Sequence, residues 1–444
     1  MKAFDNFWAG AVDLAWGVPL VILLISAGIY FTIACRFLPF RAIGHALDIL
    51  TGKYDNPEDP GEISHFQALS SALSATIGMG NIAGVAVAIS VGGPGAIFWM
   101  WVAGLVGMAT KFFTCTLATM FRKKDEDGVD QGGPMYYLEV GLGRKFKPLA
   151  VLFAICGMIG CLALFQVNQL SGLLYADYGI SRVLTGTGSM LIVGVVILGG
   201  ITRVGKVTSK VVPAMFLLYL GSALFVILSN AAAIPEVVVS IFKSAFGGQA
   251  LVGGGAGLAF KEVMITGVRR AAFSNEAGIG TAPMAHGAAK TKEPIREGLI
   301  AMLGPFLDTN IICTLTGLVI ISSGVPTESD GVLMTVNAFD QAMPGIGRLL
   351  LTTTILLFSV STMISYSYYS LKCARYLFGN YVGNKYVYIY LISLPLASMW
   401  SQDTVLNIID TNFAFMAVPT LIGALLLSPK VVAALRDYYR RMNL

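Results

Sequence analysis

The sequence predicts an all-α integral membrane protein with eleven transmembrane helices: one N-terminal extra helix, then a 5+5 inverted-repeat core in which two helices are broken. Three observations predict this fold. The 444 residues are 55% hydrophobic and 12% charged, whereas soluble domains carry about 25% charged residues. Eleven apolar segments have about the 20 residues that cross a bilayer. Gly-x-Gly sequences recur at matched positions in two of these segments.

Glycine, proline and charge clusters bound the apolar segments. The predicted spans are residues 14–35, 66–91, 95–121, 148–175, 184–202, 208–230, 258–288, 297–321, 347–375, 386–401 and 404–428. The first span lacks a basic n-region and is longer than a signal-peptide core, so we expect it to remain as a helix. The chain then divides into an extra helix within residues 1–35, a first repeat over 66–230, a second repeat over 258–428 and a tail over 429–444.

The basic residues predict the orientation of these spans. With the N-terminus outside, 22 of the 30 Lys and Arg fall in inner loops and the tail, and five fall outside. The remaining three, Lys111, Arg269 and Arg270, lie inside helices. The positive-inside rule therefore predicts an outer N-terminus and a cytoplasmic C-terminus, in the inner membrane of a bacterium or archaeon. The net charge of +5 is explained by topology, and no nucleic-acid partner is expected.

Several classes of chemistry lack their sequence signals. The six cysteines fall in or beside apolar segments, without CxxC or histidine at ligand spacing, so we expect no disulfide framework, structural metal or other cofactor. The sequence contains no Walker motif, HExxH or GxSxG. It therefore gives no support to an ATP site or to a membrane-embedded enzyme.

Two spans carry the same interruption. Gly78–Asn81 reads Gly-Met-Gly-Asn, Gly278–Thr281 reads Gly-Ile-Gly-Thr, and Pro94 and Pro294 follow at the same offset of 200. A single Gly-x-Gly pair is explained by close helix packing. Two matched pairs predict discontinuous helices that expose backbone groups to a ligand near mid-membrane. The run Phe273–Gly278 adds a carboxylate and an amide to an apolar span, and such groups need partners.

Four longer strings resemble one family. They are Gly80–Ala86, Gly92–Trp101, Gly132–Tyr137 and the run from Phe273 to Pro283. On these residues the chain resembles the alanine or glycine:cation symporters, a branch of the transporters with the LeuT-type fold, over nearly its whole length. The resemblance implies a ten-helix core that binds a small neutral amino acid and a cation, Na+ first among the candidates, between the two broken helices and spans 148–175 and 347–375. It also implies symport by alternating access.

The resemblance and the polarity of helix ends together predict how a zwitterion binds. Its carboxylate would accept hydrogen bonds from the backbone N–H groups of Met79, Gly80 and Asn81, at the start of the second half of a broken helix. Its ammonium would be bound by carbonyls freed around Phe273, Ser274 and Glu276. Glu276 has an alternative, structural role, in which it accepts N–H groups orphaned by the break.

Other pocket residues follow from the family pattern. Gln166 stands where the family has a substrate-facing Gln, whereas Asn168 and Gln169 are equally explained as interhelical hydrogen-bonding residues. The chain departs from the family pattern at four places. Met79 stands where Thr is usual, Ala163 where Asn is usual, and Tyr366 where Trp is usual. In Asp410–Phe413 the order of Asn and Phe is the reverse of the usual one. Because several of these positions would line the pocket, glutamine or serine stays open as substrate beside alanine or glycine.

The resemblance also implies a cation site. It consists of carbonyl oxygens from span 66–91, which are those of Ser74 and Ile77, and of oxygens from span 347–375 at i, i+3 and i+4. The latter are the Phe358 carbonyl and the hydroxyls of Ser361 and Thr362. Five neutral oxygens suit Na+. The alternative for Ser361 and Thr362 is a hydrogen bond back to their own helix. Coupling to H+ stays open, although we interpret His45, His65 and His286 as structural.

Charges inside the spans suggest a gate. Arg270 precedes the second break on its outer side, and Asp410 lies near the outer start of the last span. We predict that this pair closes over bound substrate, the alternative being a static ion pair. Lys111 is given no function, because its stem can snorkel. A channel remains as a rival to a symporter, and the sequence makes no prediction about oligomeric state.

Overall fold

The computed structural model of the protein describes residues 2–246, 256–326 and 331–442. Nearly all of this chain is helical. Helix formation follows from the apolar composition, because a backbone in hydrocarbon must satisfy its N–H and C=O groups within its own segment. The only strands in the described ranges are β1 (Lys123–Lys124) and β2 (Asp130–Gln131), which pair antiparallel as a short hairpin.

Residues 2–120 contain seven α-helices. They are α1 (Lys2–Ala15), α2 (Val18–Ala34), α3 (Leu38–Arg41), α4 (Ile43–Leu50), α5 (His65–Thr76), α6 (Val85–Gly92) and α7 (Gly95–Met120). A π-helical turn, Gly80–Gly84, leads into α6. The chain bends by 46° between α1 and α2 and by 47° between α5 and the Gly80–Gly92 segment.

Residues 134–245 continue the bundle. They contain α8 (Pro134–Tyr136), α9 (Lys147–Gly160), α10 (Leu164–Tyr178), α11 (Arg182–Ile197), α12 (Gly200–Ser229) and α13 (Ile234–Ala245). A π turn over Tyr137–Gly141 and two 3-10 turns, Arg144–Phe146 and Ala231–Ala233, join them.

Residues 256–442 hold the second interruption. The helices of this part are α14 (Ala256–Asn275), α15 (Ala282–His286), α16 (Pro294–Ala301), α17 (Leu303–Pro305), α18 (Thr314–Ser323), α19 (Gly331–Ala342), α20 (Gly347–Ala397) and α21 (Gln402–Met442). A π-helical segment, Phe306–Cys313, joins α17 to α18. Six residues separate the end of α14 from the start of α15, and this segment, 276–281, is not helical.

By length and composition, six helices in the described residues can cross a membrane, or eight if each bent pair is one span. This number is below the predicted eleven for three structural reasons. Helix α20 runs through two predicted spans, with non-helical backbone at Gly379 (φ 74°, ψ 171°) between them. Helix α11 has 16 residues, and α14 carries four charged side chains.

Three predicted boundaries are wrong. The predicted span 184–202 runs past the end of α11 at Ile197, because apolar composition continues through a turn at Gly199 and Gly200 (φ 70°). The next predicted span, 208–230, begins eight residues inside α12, since the basic residues near its start look like a loop. The predicted span 386–401 ends late, because α20 stops at Ala397.

Packing brings the interrupted helices to the middle of the bundle. Helix α7 packs against α14 and α16, α20 packs against α5, α10 and α12, and α21 packs against α1 and α9. The side chains at both interruptions are buried, including Met79, Asn81 and Ser274, which have no exposed surface. The fold therefore encloses the two interruptions in protein.

Gly280 gives a first test of the packing at the second interruption. Its φ is +99°, and an added Cβ would approach Phe153 Cε2 to 2.7 Å and Pro134 Cγ to 2.9 Å. We expect Gly280→Ala to cost roughly 2 kcal/mol or more of stability, from backbone strain and overlap together. Gly221→Ala is the matched control, because an added Cβ there meets nothing within 4 Å. Thermal unfolding in detergent measures both, and equal melting temperatures would contradict the packing described.

Candidate functional site

The two helix interruptions face each other. Helix α5 ends at Thr76, and Ile77 leaves the helix with ψ 96°. An added Cβ on Gly80 would lie 3.1 Å from Ser274 Cα, so only glycine allows the two backbones this approach. Backbone groups of both broken helices therefore lie side by side in the buried centre of the bundle.

Asn81 stabilises the first interruption. Its Oδ1 accepts a hydrogen bond from the Gly78 N–H at 2.7 Å. The backbone N–H of Asn81 donates to the Gly78 carbonyl at 3.1 Å. Of the three N–H groups predicted to bind a carboxylate, that of Asn81 is thus used within the turn, which leaves those of Met79 and Gly80.

The second interruption is built on unusual backbone angles. Glu276 has φ +57° and Gly278 has φ +88°, a region that side chains other than glycine rarely adopt. The side-chain oxygen of Asn275 accepts the Ala277 N–H at 2.8 Å. Asn275, rather than Glu276, thus supplies a side-chain acceptor for an N–H group released by the break.

The Glu276 carboxylate is fully enclosed and bonded on both oxygens. Its Oε1 accepts the Tyr366 hydroxyl at 2.5 Å and its Oε2 accepts the Thr281 hydroxyl at 2.6 Å. The Glu276 backbone carbonyl accepts the Ile279 N–H at 3.1 Å. Glu276 therefore joins the second interruption to α20, and its carbonyl is already engaged in the turn.

Asp308 joins both interruptions, and the sequence analysis missed it. Its Oδ1 accepts Asn81 Nδ2 at 2.7 Å, and its Oδ2 accepts the hydroxyls of Ser274 at 2.9 Å and Thr309 at 2.8 Å. The Asp308 side chain has no exposed surface. A carboxylate inside an apolar span is itself a signal of a functional site, and this signal was present at position 308 in the predicted span 297–321.

Lys111 is the cation of the same buried region. It is 2% exposed, and its charged neighbours include the carboxylates of Glu276 and Asp308. An added Cβ on Gly304 would lie 3.3 Å from Lys111 Nζ. The side chain therefore points into the protein instead of snorkelling, which corrects the expectation from sequence. One cation and two carboxylates leave the region with one excess negative charge if all three are ionised.

Four of the predicted cation ligands lie together. The Thr362 hydroxyl donates to the Ser74 carbonyl at 2.9 Å, and the Ser74 hydroxyl donates to the Ser361 carbonyl at 2.8 Å. The Ser361 hydroxyl bonds back to the Phe358 carbonyl at 3.0 Å. Ile77 follows on α5 within three residues of Ser74 and is fully buried. The Ser361 hydroxyl thus bonds back to its own helix, whereas the Thr362 hydroxyl bonds to the broken helix α5.

Gln166 has an unused acceptor. It is 2% exposed, and its Oε1 has no hydrogen-bond partner among the described residues, an arrangement that costs energy unless a ligand or water completes it. The neighbouring ring of Phe165 packs edge-on against Phe273 with centroids 5.3 Å apart, and Phe413 lies 6.0 Å from Phe273. Phe165 and Phe413 thus both pack against Phe273, near the end of α14.

The two other amides of this run bond to other helices. Asn168 Nδ2 donates to the carbonyls of Ala397 and Trp400, at 3.1 and 2.8 Å. Gln169 Nε2 donates to Gln402 Oε1 at 2.9 Å, and its Oε1 accepts the Val332 N–H. Both are therefore interhelical hydrogen-bonding residues in this structure.

A cluster of charged side chains lies around Asp410. Asp410 accepts hydrogen bonds from Arg270 Nη2 and from Arg269 Nε, the latter at 2.8 Å. The Asp410 backbone carbonyl accepts Trp16 Nε1 at 2.7 Å. Arg269, Arg270 and Asp410 line a cavity of about 510 Å³, and Asp403 lies in the wall of the same cavity. The structure brings the predicted pair Arg270 and Asp410 together and adds Arg269 as a second partner.

Backbone pairing joins the segment before α5 to the segment after α15. Ile63 and Ala289 form a parallel bridge, in which the Lys290 N–H donates to the Ile63 carbonyl at 2.7 Å. The guanidinium of Arg122 donates to the carbonyls of Pro60, Gly287, Ala289 and Thr291. One side chain thus joins the segment that enters the first broken helix to the segment that leaves the second.

Two histidines reinforce this contact. His65 Nδ1 bonds Glu297 Oε2, and His286 Nδ1 lies 2.6 Å from Glu297 Oε1. Each of the three side chains is at most 2% exposed. The carboxylate therefore bridges α5, α15 and α16. Sequence alone could not pair residues 232 positions apart, so this triad was missed.

Comparisons with known proteins agree with this architecture. A sequence model of the sodium:alanine symporter family matches residues 1–443. The chain is 40% identical to the sodium/alanine symporter AgcS of Methanococcus maripaludis, over 96% of this chain and 95% of that one. It is 34% identical to the probable sodium/glutamine symporter GlnT of Bacillus subtilis, over 97% and 90% of the two chains. The resemblance stated from sequence is confirmed.

Solved structures show the fold. The transporter MhsT, in complex with L-phenylalanine, matches with a TM-score of 0.55 at 11% identity, over 82% of this chain and 88% of that one. A variant of the manganese transporter of Eremococcus coleocola matches with the same TM-score at 13% identity, over 81% and 78%. At these identities the likeness establishes the LeuT-type fold and nothing about the ligand.

Asp308 yields a testable prediction. Asp308→Ala leaves the Asn81, Ser274 and Thr309 donors without their acceptor, and each buried unpaired donor costs about 1–3 kcal/mol. We expect a lower melting temperature in detergent, with Asp308→Asn intermediate because it keeps one acceptor oxygen. Asp340→Ala is the control, since that carboxylate is a third exposed and contacts only Arg348 at 3.3 Å. Parent-like melting of Asp308→Ala would contradict the network.

Proposed function

The chain belongs to the sodium:alanine symporter family, and from that premise we propose that it imports a small neutral amino acid of the alanine or glycine class with Na+ by alternating access. Its relatives are transporters, so the protein is a multi-pass membrane transporter and not an enzyme. The single observation that carries the proposal is the contact between two helix interruptions, joined through Asp308 in the buried centre of the bundle.

We propose that this centre binds both ends of the amino acid. The substrate carboxylate accepts the N–H groups of Met79 and Gly80, at the positive end of the segment that leads into α6. The ammonium lies against the carbonyls of Phe273 and Ser274. The acceptor oxygens of the two buried carboxylates in this region, Glu276 and Asp308, favour a cationic group in the same place.

Side chains set the size of the substrate in this proposal. The unpartnered Gln166 Oε1 offers an acceptor to the ammonium or to a polar side chain of the substrate. The rings of Phe165, Phe273 and Phe413 pack together just before the second interruption, which favours a small substrate such as alanine or glycine. Met79 and Tyr366 complete the wall. A glutamine or serine substrate is the alternative, and the relative named for glutamine transport keeps it open.

The coupling ion in the proposal is Na+, which the family supports. Thr362 and Ser74 already face each other across α20 and α5, so an ion recruits their oxygens by displacing one hydrogen bond. Ile77, Phe358 and Ser361 supply the remaining oxygens. Binding there fixes α5 against α20 and lowers the ordering cost for substrate, and by linkage substrate raises the affinity for Na+.

The driving force is sufficient for import. One elementary charge crossing about 100 mV releases about 2.3 kcal/mol. That free energy concentrates a neutral zwitterion roughly fortyfold, because 1.4 kcal/mol is a factor of about ten. No ATP is required. Coupling to H+ remains the alternative, since one relative is named as a putative sodium/proton-dependent alanine carrier.

The contacts around Asp410 and Arg122 support alternating access. In our proposal Asp410 with Arg269 and Arg270 is the outer gate, and Arg122 with the His65, Glu297 and His286 triad is the inner gate. The same scheme takes eleven spans in an N-terminal helix plus two inverted repeats of five, 66–230 and 258–428, with the N-terminus outside a cytoplasmic membrane. The bent helices and the kink at Gly379 support that division.

Uptake into proteoliposomes tests the function. We expect labelled alanine or glycine to accumulate under an inward Na+ gradient, with serine and glutamine measured beside them. Thr362→Ala should raise the Na+ concentration for half-maximal uptake by about tenfold, because one lost oxygen ligand is worth roughly 1.4 kcal/mol. Ser361→Ala is measured with it and should change in the same direction.

Thr353→Ala is the matched control for uptake. Thr353 lies on the same helix, is exposed, and bonds only to its own helix at Leu349 O. It should keep the parental Na+ dependence. Uptake that ignores Na+ and both site substitutions would refute the cation site, and flux without saturation or counterflow would indicate a channel.

The outer gate has its own test. Asp410→Asn leaves two guanidinium groups without their carboxylate, and breaking a buried pair costs about 3–5 kcal/mol. We expect uptake per folded molecule to fall at least tenfold, because the outer side no longer closes. Asp403→Asn, from the wall of the same cavity, should transport like the parent. If Asp410→Asn lowers only the melting temperature, the ion pair is static and the gate assignment fails.

A further inference from the structure

A second cavity lies far from the transport site, at the end of the bundle where α2 stops. Its volume is about 420 Å³, and it is formed by the end of α2, by α3 and α4, and by the last turns of α21. Three arginines line it: Arg36, Arg41 and Arg436. This face carries most of the Lys and Arg of the chain, and our proposed topology makes it cytoplasmic. We call it the basic cavity.

The charge of the basic cavity is uncompensated. No Asp or Glu is among its lining residues, and none of its three arginines forms an ion pair within residues 2–246, 256–326 and 331–442. By contrast, the neighbouring Arg440 and Arg441 are both paired with Asp437. Burial lowers the pKa of His45, the fourth basic lining residue, and its Nε2 lies 2.7 Å from the Tyr438 hydroxyl. The positive charge therefore comes from the guanidinium groups.

The backbone holds this arrangement under strain. Arg36 and Phe37 have φ of 55° and 57°, and each residue in this region costs about 1 kcal/mol or more unless its surroundings favour it. The two residues turn the chain sharply from α2 into α3. The turn places Arg36 beside Arg41, whose Nη1 approaches the Arg36 carbonyl at 3.5 Å.

The rest of the cavity lining is largely apolar, and exposed hydrophobic side chains lie beside it. Leu38, Val432 and Leu435 line it. Beside it, Phe37, Phe40, Ile43 and Leu47 expose between 37% and 55% of their surface. Aromatic and aliphatic side chains at the end of a membrane helix sit at the level of the lipid headgroups and upper acyl chains.

We propose that the basic cavity binds the phosphodiester headgroup of an anionic phospholipid from the adjacent leaflet. The guanidinium fork matches a phosphate in bidentate geometry, and basic recesses between helix ends are suited to such headgroups. The apolar wall and the exposed Phe37 and Phe40 receive the acyl chains. A free phosphate would use the arginines and leave this apolar surface unused, so the membrane lipid is the occupant that the whole lining fits.

Lipid titration of the purified full-length protein in neutral detergent tests the proposal. Thermal stabilisation is followed against added phosphatidylglycerol, cardiolipin, phosphatidylcholine and inorganic phosphate. We expect saturable stabilisation by the two anionic lipids, and none by phosphatidylcholine or by millimolar phosphate. The double variant Arg41→Gln, Arg436→Gln should bind the anionic lipids about thirtyfold more weakly, because two of the three phosphate-binding cations are lost.

Arg440→Gln is the matched control, since it removes one exposed arginine of the same helix outside the cavity. It should keep the parental lipid affinity. Equal lipid affinity of the double variant and the parent overturns the site. Stabilisation of the parent by phosphatidylcholine or by phosphate alone to the same degree overturns the anionic-lipid assignment, and that comparison needs no variant.

Discussion

A peptide group inside a bilayer has to be hydrogen-bonded by the protein itself, and the centre of this structure depends on that constraint. Two helices stop in the middle of the bundle, which releases N–H and C=O groups that need other hydrogen-bond partners. Asn81 and Asn275 each accept one released N–H group, and Asp308 ties the two turns together. The backbone N–H and C=O groups that have no partner in these turns are available to bind a zwitterionic substrate.

The same constraint explains why charged groups appear in the middle of an apolar protein. Glu276 and Asp308 are held by hydroxyl and amide donors, and Lys111 balances one of the two charges. Away from the centre, charged side chains join separate segments of the chain. Asp410 accepts hydrogen bonds from two arginines in one cluster, and Arg122 donates hydrogen bonds to four carbonyls in the other. In the proposed alternating access these peripheral contacts break and re-form, whereas the central network persists.

The sequence predicted those parts that follow from local pattern. Matched glycines located both interruptions, and the spacing of Ser361 and Thr362 placed two side chains that now lie against Ser74. Arg270 and Asp410 were paired by being on the same side of the membrane. Asp308 was missed because one carboxylate between apolar residues forms no motif, and the partners of Glu297 were missed because they come from distant parts of the chain. The helix ends at Ile197 and Ala397 were missed because the residues of the turns that follow are also largely apolar, so hydropathy alone does not mark them.

Competition binding tests the central claim most directly, because it examines each end of the guest separately. Labelled alanine bound to the purified protein in Na+ is displaced with unlabelled alanine, with alaninol, which lacks the carboxylate, and with N-acetylalanine, which lacks the ammonium. If the peptide groups of two broken helices hold both ends, only alanine displaces the label at comparable concentration. Displacement by either analogue as effective as that by alanine would contradict the account.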